Sequence, residues 1–228
     1  GNAPFIVFDD ADIDAAVQGA LISKYRNSGQ TCVCTNRIFV QDTIHDVFVD
    51  KLVAATAELK MGNGLDEAVQ QGPLVNEKAV EDVDRLVRLS TEAGAQVALG
   101  GARSDLGPCY YQPTVLTGIT PGMAVFRNEI FGPVAPVMSF SDEAEAVALA
   151  NDTEFGLASY FYTRDIGRAW RVSEALDYGM VGVNEGIISN EMAPFGGVKA
   201  SGSGREGSKY GIDDYLEIKY ILMGGLDR

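Results

Sequence analysis

Three cysteines, at positions 32, 34 and 109, and one histidine, His45, bound the nucleophilic chemistry open to this chain. Cys32 follows a Gly29-Gln30 turn instead of lying inside a helical repeat, which lets its thiol point into a cleft. The competing reading is a buried structural cysteine, the commonest state of a free thiol. A free thiol titrates at about 8.5, so a cysteine nucleophile needs a base or a depressed pKa. His45 stands in a polar stretch that opens a helix, where a solvated surface role is expected. The base for Cys32, if Cys32 is a nucleophile, is therefore a carboxylate or comes from outside the chain. Cys34 and Cys109 have weaker grounds.

Two glycine-rich segments also bear on chemistry. In Glu129-Ile130-Phe131-Gly132-Pro133-Val134 an acid and an aromatic flank a Gly-Pro turn that leads into a strand. The carboxylate suits sugar hydroxyls and the ring suits a flat heterocycle; a surface acid and a core Phe is the plainer alternative. Gly202-Ser203-Gly204-Arg205-Glu206-Gly207 matches the dinucleotide pattern G-x-G-x-x-G, but no strand precedes it and the residues that should carry the acidic partner are not there. It reads as a tight loop.

The elements that must position these residues alternate between short apolar runs and helical repeats. Strands are expected at 5–8, 37–41, 96–99, 110–116, 134–140, 157–162 and 180–184. Helices are expected after Asp9 or Asp10, either of which can cap the repeat of Ile13, Val17, Leu21 and Ile22, and at 47–59, 77–93, 143–150 and 166–176. Strands interleaved with helices imply an α/β fold, a mostly parallel sheet flanked by helices. The tail, 215–222, alternates polar and apolar residues and reads as a strand that pairs with an edge, its own or a neighbour's.

The 228 residues suffice for a sizeable core. With 18 Lys and Arg against 32 Asp and Glu the net charge is −14, which repels phosphate backbones and argues against nucleic acid as a partner. No apolar run reaches the roughly 18 residues of a membrane span, and the first residues have no signal-peptide character. Three cysteines fit reduced thiols in a cytoplasmic compartment better than a disulfide scaffold, so the sequon Asn151-Asp152-Thr153 carries no weight. No metal site is expected.

Taken together, the segments resemble the aldehyde dehydrogenase superfamily over essentially the whole chain. The signature N-x-G-Q-x-C is present as Asn27 to Cys32, E-x-F-G-P as Glu129 to Pro133, and P-F-G-G-x-K-x-S-G as Pro194 to Gly202. Gly72-Pro73-Leu74-Val75 and Asn151-x-x-x-Phe155-Gly156-Leu157 also fit. The stretches from Lys24 to Cys34, from Glu191 to Gly197 and from Gly204 to Gly211 look like the succinate-semialdehyde dehydrogenase subfamily. That resemblance implies Cys32 as nucleophile, and Arg26 and Ser189 as ligands of a distal substrate carboxylate. It implies Glu129 on the nicotinamide ribose of NAD or NADP, with Phe131 beside the ring. The implied course is thiohemiacetal, hydride loss to the cofactor, and thioester hydrolysis, with the Cys32 backbone N–H helping to hold the oxyanion. The subfamily's Cys-x-Cys pattern further suggests Cys34 as a reversible disulfide partner of Cys32.

The resemblance assigns 1–200 to a catalytic domain and 201–228 to a loop and an oligomerisation strand, in a homodimer or homotetramer. The family's cofactor-binding domain and its general-base glutamate are absent from this chain, Gly1 aligning with the end of the E-L-G-G motif. Glutarate semialdehyde, which carries the same charge one carbon further out, is the alternative substrate; a non-catalytic oligomerisation fragment is the alternative function. The isolated 228-residue chain is accordingly expected to form no NAD(P)H from succinate semialdehyde, and clear turnover in that assay would overturn the expectation.

Overall fold

Residues that alternate inward and outward along every strand leave the sheet buried on both faces, and this decides the layering. The computed structural model describes residues 1–227. Seven strands, β1 (Ala3–Val7), β2 (Thr35–Gln41), β3 (Gln96–Leu99), β4 (Thr114–Thr117), β5 (Val134–Phe140), β6 (Ala158–Tyr162) and β7 (Met180–Val183), form one sheet in the order β3-β4-β5-β2-β1-β6-β7. All neighbours are parallel except β3 and β4.

On one face, Phe5, Val7, Ile38, Val40, Val137, Tyr160 and Tyr162 meet α1 (Ile13–Tyr25) and α2 (His45–Ala57) through Ala16, Val17, Ala20, Phe48 and Leu52. On the other, Ile6, Phe39, Val134, Phe140 and Phe161 meet α3 (Glu77–Glu92), α4 (Ala124–Arg127), α5 (Glu143–Asn151) and α6 (Ile166–Ala175). Each fully buried Phe, Ile or Val removes apolar area worth roughly 1.5–3 kcal/mol, an upper bound because the unfolded chain already hides part of it.

The expected α/β sheet, mostly parallel with flanking helices, is the one observed, with differences at the ends of elements. Asp12, not Asp9 or Asp10, caps α1, accepting from Ala15 N at 3.1 Å. A turn closed by Ala11 N on Phe8 O carries the chain past the earlier aspartates before the first free helical N–H groups appear. Asp10 is used elsewhere: it accepts from the Thr163 hydroxyl at 2.8 Å and from the backbone of Arg164 and Asp165, and pairs with Arg168 at 2.7 Å. Those bonds and the Arg168 charge outweigh partial burial and hold its carboxyl below the usual range.

The strand expected over 110–116 starts only at Thr114, because Pro113 has no N–H to give a ladder. The tail strand expected over 215–222 pairs with nothing among the described residues. Tyr215 closes a single 3-10 turn (Asp213–Tyr215), and Ile218, Tyr220 and Leu222 lie exposed. A strand needs a partner edge, and the tail reaches neither β3 nor β7. Among the described residues, no helix is long and apolar enough to cross a membrane. The sequon asparagine is tied down, Asn151 Nδ2 donating to Ala175 O at 2.8 Å and its Oδ1 accepting from Asp177 N at 2.9 Å.

One buried cation locks the sheet to its helical layer. Arg37 on β2 donates to the carbonyls of Asn2 at 2.9 Å, Leu149 at 2.9 Å and Ala150 at 2.8 Å and to the Tyr178 hydroxyl at 2.9 Å, while its guanidinium lies over Phe126. Removing it strands several buried carbonyls at once. Arg37→Leu is expected to lower stability by roughly 3 kcal/mol in urea unfolding, the scale of losing charged hydrogen bonds to buried acceptors.

Candidate active site

The turn before Cys32 departs from the backbone that side chains prefer, and its motif residues explain how. α1 ends at Tyr25, and Asn27, Ser28 and Gly29 follow with φ of 51°, 55° and 78°. Left-handed backbone costs most residues energy, asparagine and glycine least. Ser28 is held there by its hydroxyl, which donates to Gly72 O at 2.9 Å. Asn27 Nδ2 donates to Gln30 O at 3.1 Å and Gln30 Nε2 returns to Asn27 O at 3.0 Å. Gln30 Oε1 accepts from Val75 N at 2.8 Å, bracing the turn against the Gly72-Pro73-Leu74-Val75 segment. A Cβ on Gly29 would collide with the carbonyl of Gly132, so the Cys32 turn and the Glu129 loop meet backbone to backbone. The result presents Cys32 exposed and folds Cys34 inward, its Sγ 2.9 Å from the Thr31 hydroxyl and 3.7 Å from Arg26 O.

The facing loop is set by Asn36 at the start of β2. Asn36 Nδ2 donates to Asn2 Oδ1 at 2.6 Å and to Asn128 O at 2.9 Å, and its Oδ1 accepts from Ile130 N at 2.9 Å. Glu129 is thereby fixed between two anchored residues, with its side chain one-third exposed. Gly1 lies between the two halves of the site: its N donates to Glu129 Oε1 at 2.6 Å, and a Cβ there would strike the carbonyl of Cys32. Phe131, at φ 52°, turns its ring out to 43% exposure. Glu129 and Phe131 line a cleft of about 340 Å³ with Asp82, Arg85 and Asn128. An acceptor carboxylate beside an outward aromatic fits the ribose and flat ring of a nicotinamide nucleotide.

Arg26 and Ser189, expected to hold a substrate carboxylate, are both exposed, and no hydrogen bond joins them among the described residues. Ser189 lines a separate cleft of about 540 Å³ along β7 with Glu185, Ile188 and Phe195. Its loop crosses α1 where glycine meets glycine: a Cβ on Gly186 would enter the Gly19 backbone. Tyr160 stands beneath Cys32, donating to Val33 O at 2.7 Å within electrostatic reach of Arg26, Cys32 and Cys34. Burial pushes its hydroxyl well above the ordinary tyrosine range, so it is no base at neutral pH. His45 is the first residue of α2 and pairs with Asp46 at 2.9 Å; its side chain is only 20% exposed, so it is less solvated than expected.

With this geometry in place, the similarities to known proteins have a clear meaning. The model of the "Aldehyde dehydrogenase family" matches residues 1–221. The chain belongs to the aldehyde dehydrogenase family. It is 62% identical over 226 residues to a glutarate-semialdehyde dehydrogenase of Pseudomonas aeruginosa, covering 99% of this chain and 47% of that protein. It is 59% identical to the NADP(+) succinate-semialdehyde dehydrogenase of Escherichia coli, covering 98% of this chain and 46% of the relative. Among solved structures, succinate-semialdehyde dehydrogenase from Burkholderia pseudomallei superposes with a TM-score of 0.96 at 62% identity, covering 97% of this chain and 46% of that one. The chain thus spans about half the length of the relatives it matches.

The remaining family signatures are structural clasps in this aldehyde dehydrogenase chain. The 194–202 segment zips onto 153–156: Val198 N bonds Gly156 O at 2.9 Å, Ala200 N bonds Glu154 O at 2.9 Å, and Gly156 N bonds the Ser201 hydroxyl at 3.0 Å. Lys199 Nζ donates to Thr153 O at 3.0 Å over the Tyr178 ring. The G-x-G-x-x-G run beyond it forms turns with no helix, as expected of a loop. Sequence reasoning missed Asn36, Gly19 and Gly186, none of which falls in a signature, and gave no role to the buried Lys24, which opens the subfamily-like stretch 24–34. An asparagine among β-branched and aromatic neighbours at the start of β2 was the one readable signal.

Exposure and hydrogen bonding rank the thiols. Iodoacetamide labelling followed by peptide mass spectrometry is expected to modify Cys32 first and Cys34 last, with at least about a tenfold spread in rate. Equal rates would show that the turn does not hold Cys34 inward.

Proposed function

We propose that this chain is the nucleophile-bearing half of an NAD(P)-dependent enzyme that oxidises succinate semialdehyde to succinate. The observation that carries the reading is the exposed Cys32 on a braced turn whose backbone abuts the loop holding Glu129. Cys32, as thiolate, attacks the aldehyde carbon, and its own backbone N–H stabilises the developing oxyanion. Glu129 would accept from the ribose hydroxyls of the bound cofactor, and Phe131 would stand beside its nicotinamide. NAD or NADP, when bound, supplies the hydride acceptor. The thioester left on Cys32 is then hydrolysed by a water whose base is not among the residues described around Cys32. In a longer chain, residues preceding Gly1 would enter beside Cys32 and Glu129, and the resemblance places that glutamate a few residues before Gly1.

Substrate choice rests on charge. Arg26 offers a permanent, forked cation and Ser189 a hydroxyl, a pair suited to a carboxylate. Both lie exposed. Glutarate semialdehyde is the second reading, favoured by the P. aeruginosa relative at 62% identity. Cys34 serves as the redox partner of Cys32 in this proposal. Its burial means that the 31–34 turn must open first, and labelling after peroxide would show both thiols lost together and recovered by a dithiol.

The three free thiols fit a reducing, cytoplasmic compartment. The exposed apolar tail, with Tyr215, Ile218 and Tyr220, supports assembly as a homodimer or homotetramer. A monomer by light scattering would count against that.

In the full-length enzyme, Arg26→Ala is expected to raise KM for succinate semialdehyde by about a hundredfold, the scale of a lost charged fork. An uncharged aliphatic aldehyde of similar length should be little affected. Equal loss for both substrates would remove Arg26 from the specificity site.

A further inference from the structure

The loop that carries Ser189 leaves β7 and is held at every other residue. Asn184, at φ 56°, turns the chain off the strand and is pinned to Thr163, its Oδ1 accepting from Thr163 N at 3.0 Å and its Nδ2 donating to Thr163 O at 2.9 Å. Gly186 then lies against α1: a Cβ there would stand 2.8 Å from Gly19 Cα and 2.9 Å from the Gly19 carbonyl carbon. Ile188 is the next hold. Its Cγ2 fills the place where Gly182 has no side chain, since a Cβ on Gly182 would lie 2.7 Å from it and 3.1 Å from Tyr160 Cδ1. After Ser189, Asn190 closes a turn, its Oδ1 accepting from Met192 N at 2.8 Å and its carbonyl from Ala193 N at 3.2 Å. Ser189 itself is exposed, so these anchors place its hydroxyl.

Both glycine contacts lead back to the Cys32 turn. Gly19 and Arg26 are close to two helical turns apart, so the Gly186 contact falls on the flank of α1 that Arg26 closes, about 10 Å along the axis. The step from Gly186 to Ser189 covers about 10 Å when extended, enough to follow that flank. Tyr160, which borders the Gly182 contact, donates to Val33 O at 2.7 Å, next to Cys32. α1 cannot yield at Gly19, because Ala16, Val17 and Ala20 pack it against the sheet. The loop can, being exposed on both sides of Gly186. Gly186 is outside the left-handed region, so what the position requires is closeness and not backbone freedom.

We propose that Gly186 is a specificity-determining position: its contact with Gly19 holds Ser189 at the spacing from Arg26 and Cys32 that favours a four-carbon semialdehyde over a five-carbon one. This rests on the reading of Arg26 and Ser189 as the ligands of the distal carboxylate. The sizes agree. Carbon atoms in contact stand about 3.5–4.0 Å apart, so a methyl at 186 moves the loop off α1 by about 1 Å. One more methylene lengthens an extended substrate by about the same distance. A loop drawn in by glycine and a loop pushed out by alanine thus differ by one substrate carbon.

The test is kcat/KM of the full-length enzyme for succinate semialdehyde, glutarate semialdehyde and butanal, the last having no carboxylate to place. Gly186→Ala should lower the ratio of the four-carbon to the five-carbon semialdehyde about tenfold, the low end of what one methylene is worth in a fitted pocket, chiefly by raising KM for succinate semialdehyde. Butanal should keep its parental kcat/KM, which general damage to the fold would not allow. Ile188→Ala releases the second hold without adding an atom and should lower the same ratio. A parental ratio in Gly186→Ala, or in Ile188→Ala should the first variant not fold, would overturn the inference, and so would an equal loss for all three aldehydes. Ser189→Ala tests the reading beneath it. Raised KM for both semialdehydes keeps Ser189 as a ligand whatever Gly186 does, whereas parental KM for both would remove that reading and the inference together.

Discussion

The backbone contact between Gly29 and Gly132 is the constraint on which the rest of the site depends. One glycine belongs to the turn that exposes Cys32, the other to the turn after Glu129 and Phe131, and a side chain on Gly29 would drive the two apart. The sheet makes that meeting possible. β2 leaves the Cys32 turn and β5 leaves the Glu129 turn, and the two strands are parallel neighbours, so both loops emerge at the same end. Loops at one end of a parallel sheet are where such folds collect chemistry, because the strands fix the starting points and the loops are free to vary. α3 closes the arrangement from outside, with Val83 packed against the space that Gly132 leaves empty.

Around this contact, polar residues do what apolar packing cannot. Asn36 satisfies the backbone of the Glu129 loop, Gln30 satisfies the segment before α3, and Arg37 collects three carbonyls from two separate stretches of chain. Asn36 and Arg37 are buried, where an unpaired carbonyl or N–H costs about 1–3 kcal/mol, whereas Gln30 braces its segment from a more exposed position. Each therefore selects one arrangement of its loop over near alternatives, and Cys32 and Glu129, the groups proposed to act, inherit that order.

Most of the fold was legible in the residue pattern, because period-two strands and period-3.6 helices alternate cleanly here. The strand over 134–140 matched its observed limits. What was not legible depended on where the chain turns. The choice among Asp9, Asp10 and Asp12 as cap is made by a turn at Phe8–Ala11, which has no distinctive composition. The strand around Tyr111 looked longer than it is because hydropathy does not register that Pro113 lacks an N–H. The site divides the same way. Cys32, Glu129 and Phe131 sit in signatures and are brought to one end of the sheet, whereas Arg26 and Ser189 are left in separate clefts within this chain. Lys24 was invisible, since a lysine near a helix end is ordinarily solvated and only its packing shows otherwise.

The left-handed run of Asn27, Ser28 and Gly29 bears on how such sequences are recognised at all. In the motif that ends at Cys32, Asn27, Gly29 and Gln30 shape and brace the backbone, and the cysteine alone carries a thiol, the atom proposed to react. The pattern thus reports a scaffold more directly than a reaction. A descendant that exchanged its thiol for an inert side chain would keep the turn, the brace and the glycine contact, and would still match the motif at every other position. Kinship and competence are separable at this site by a single atom.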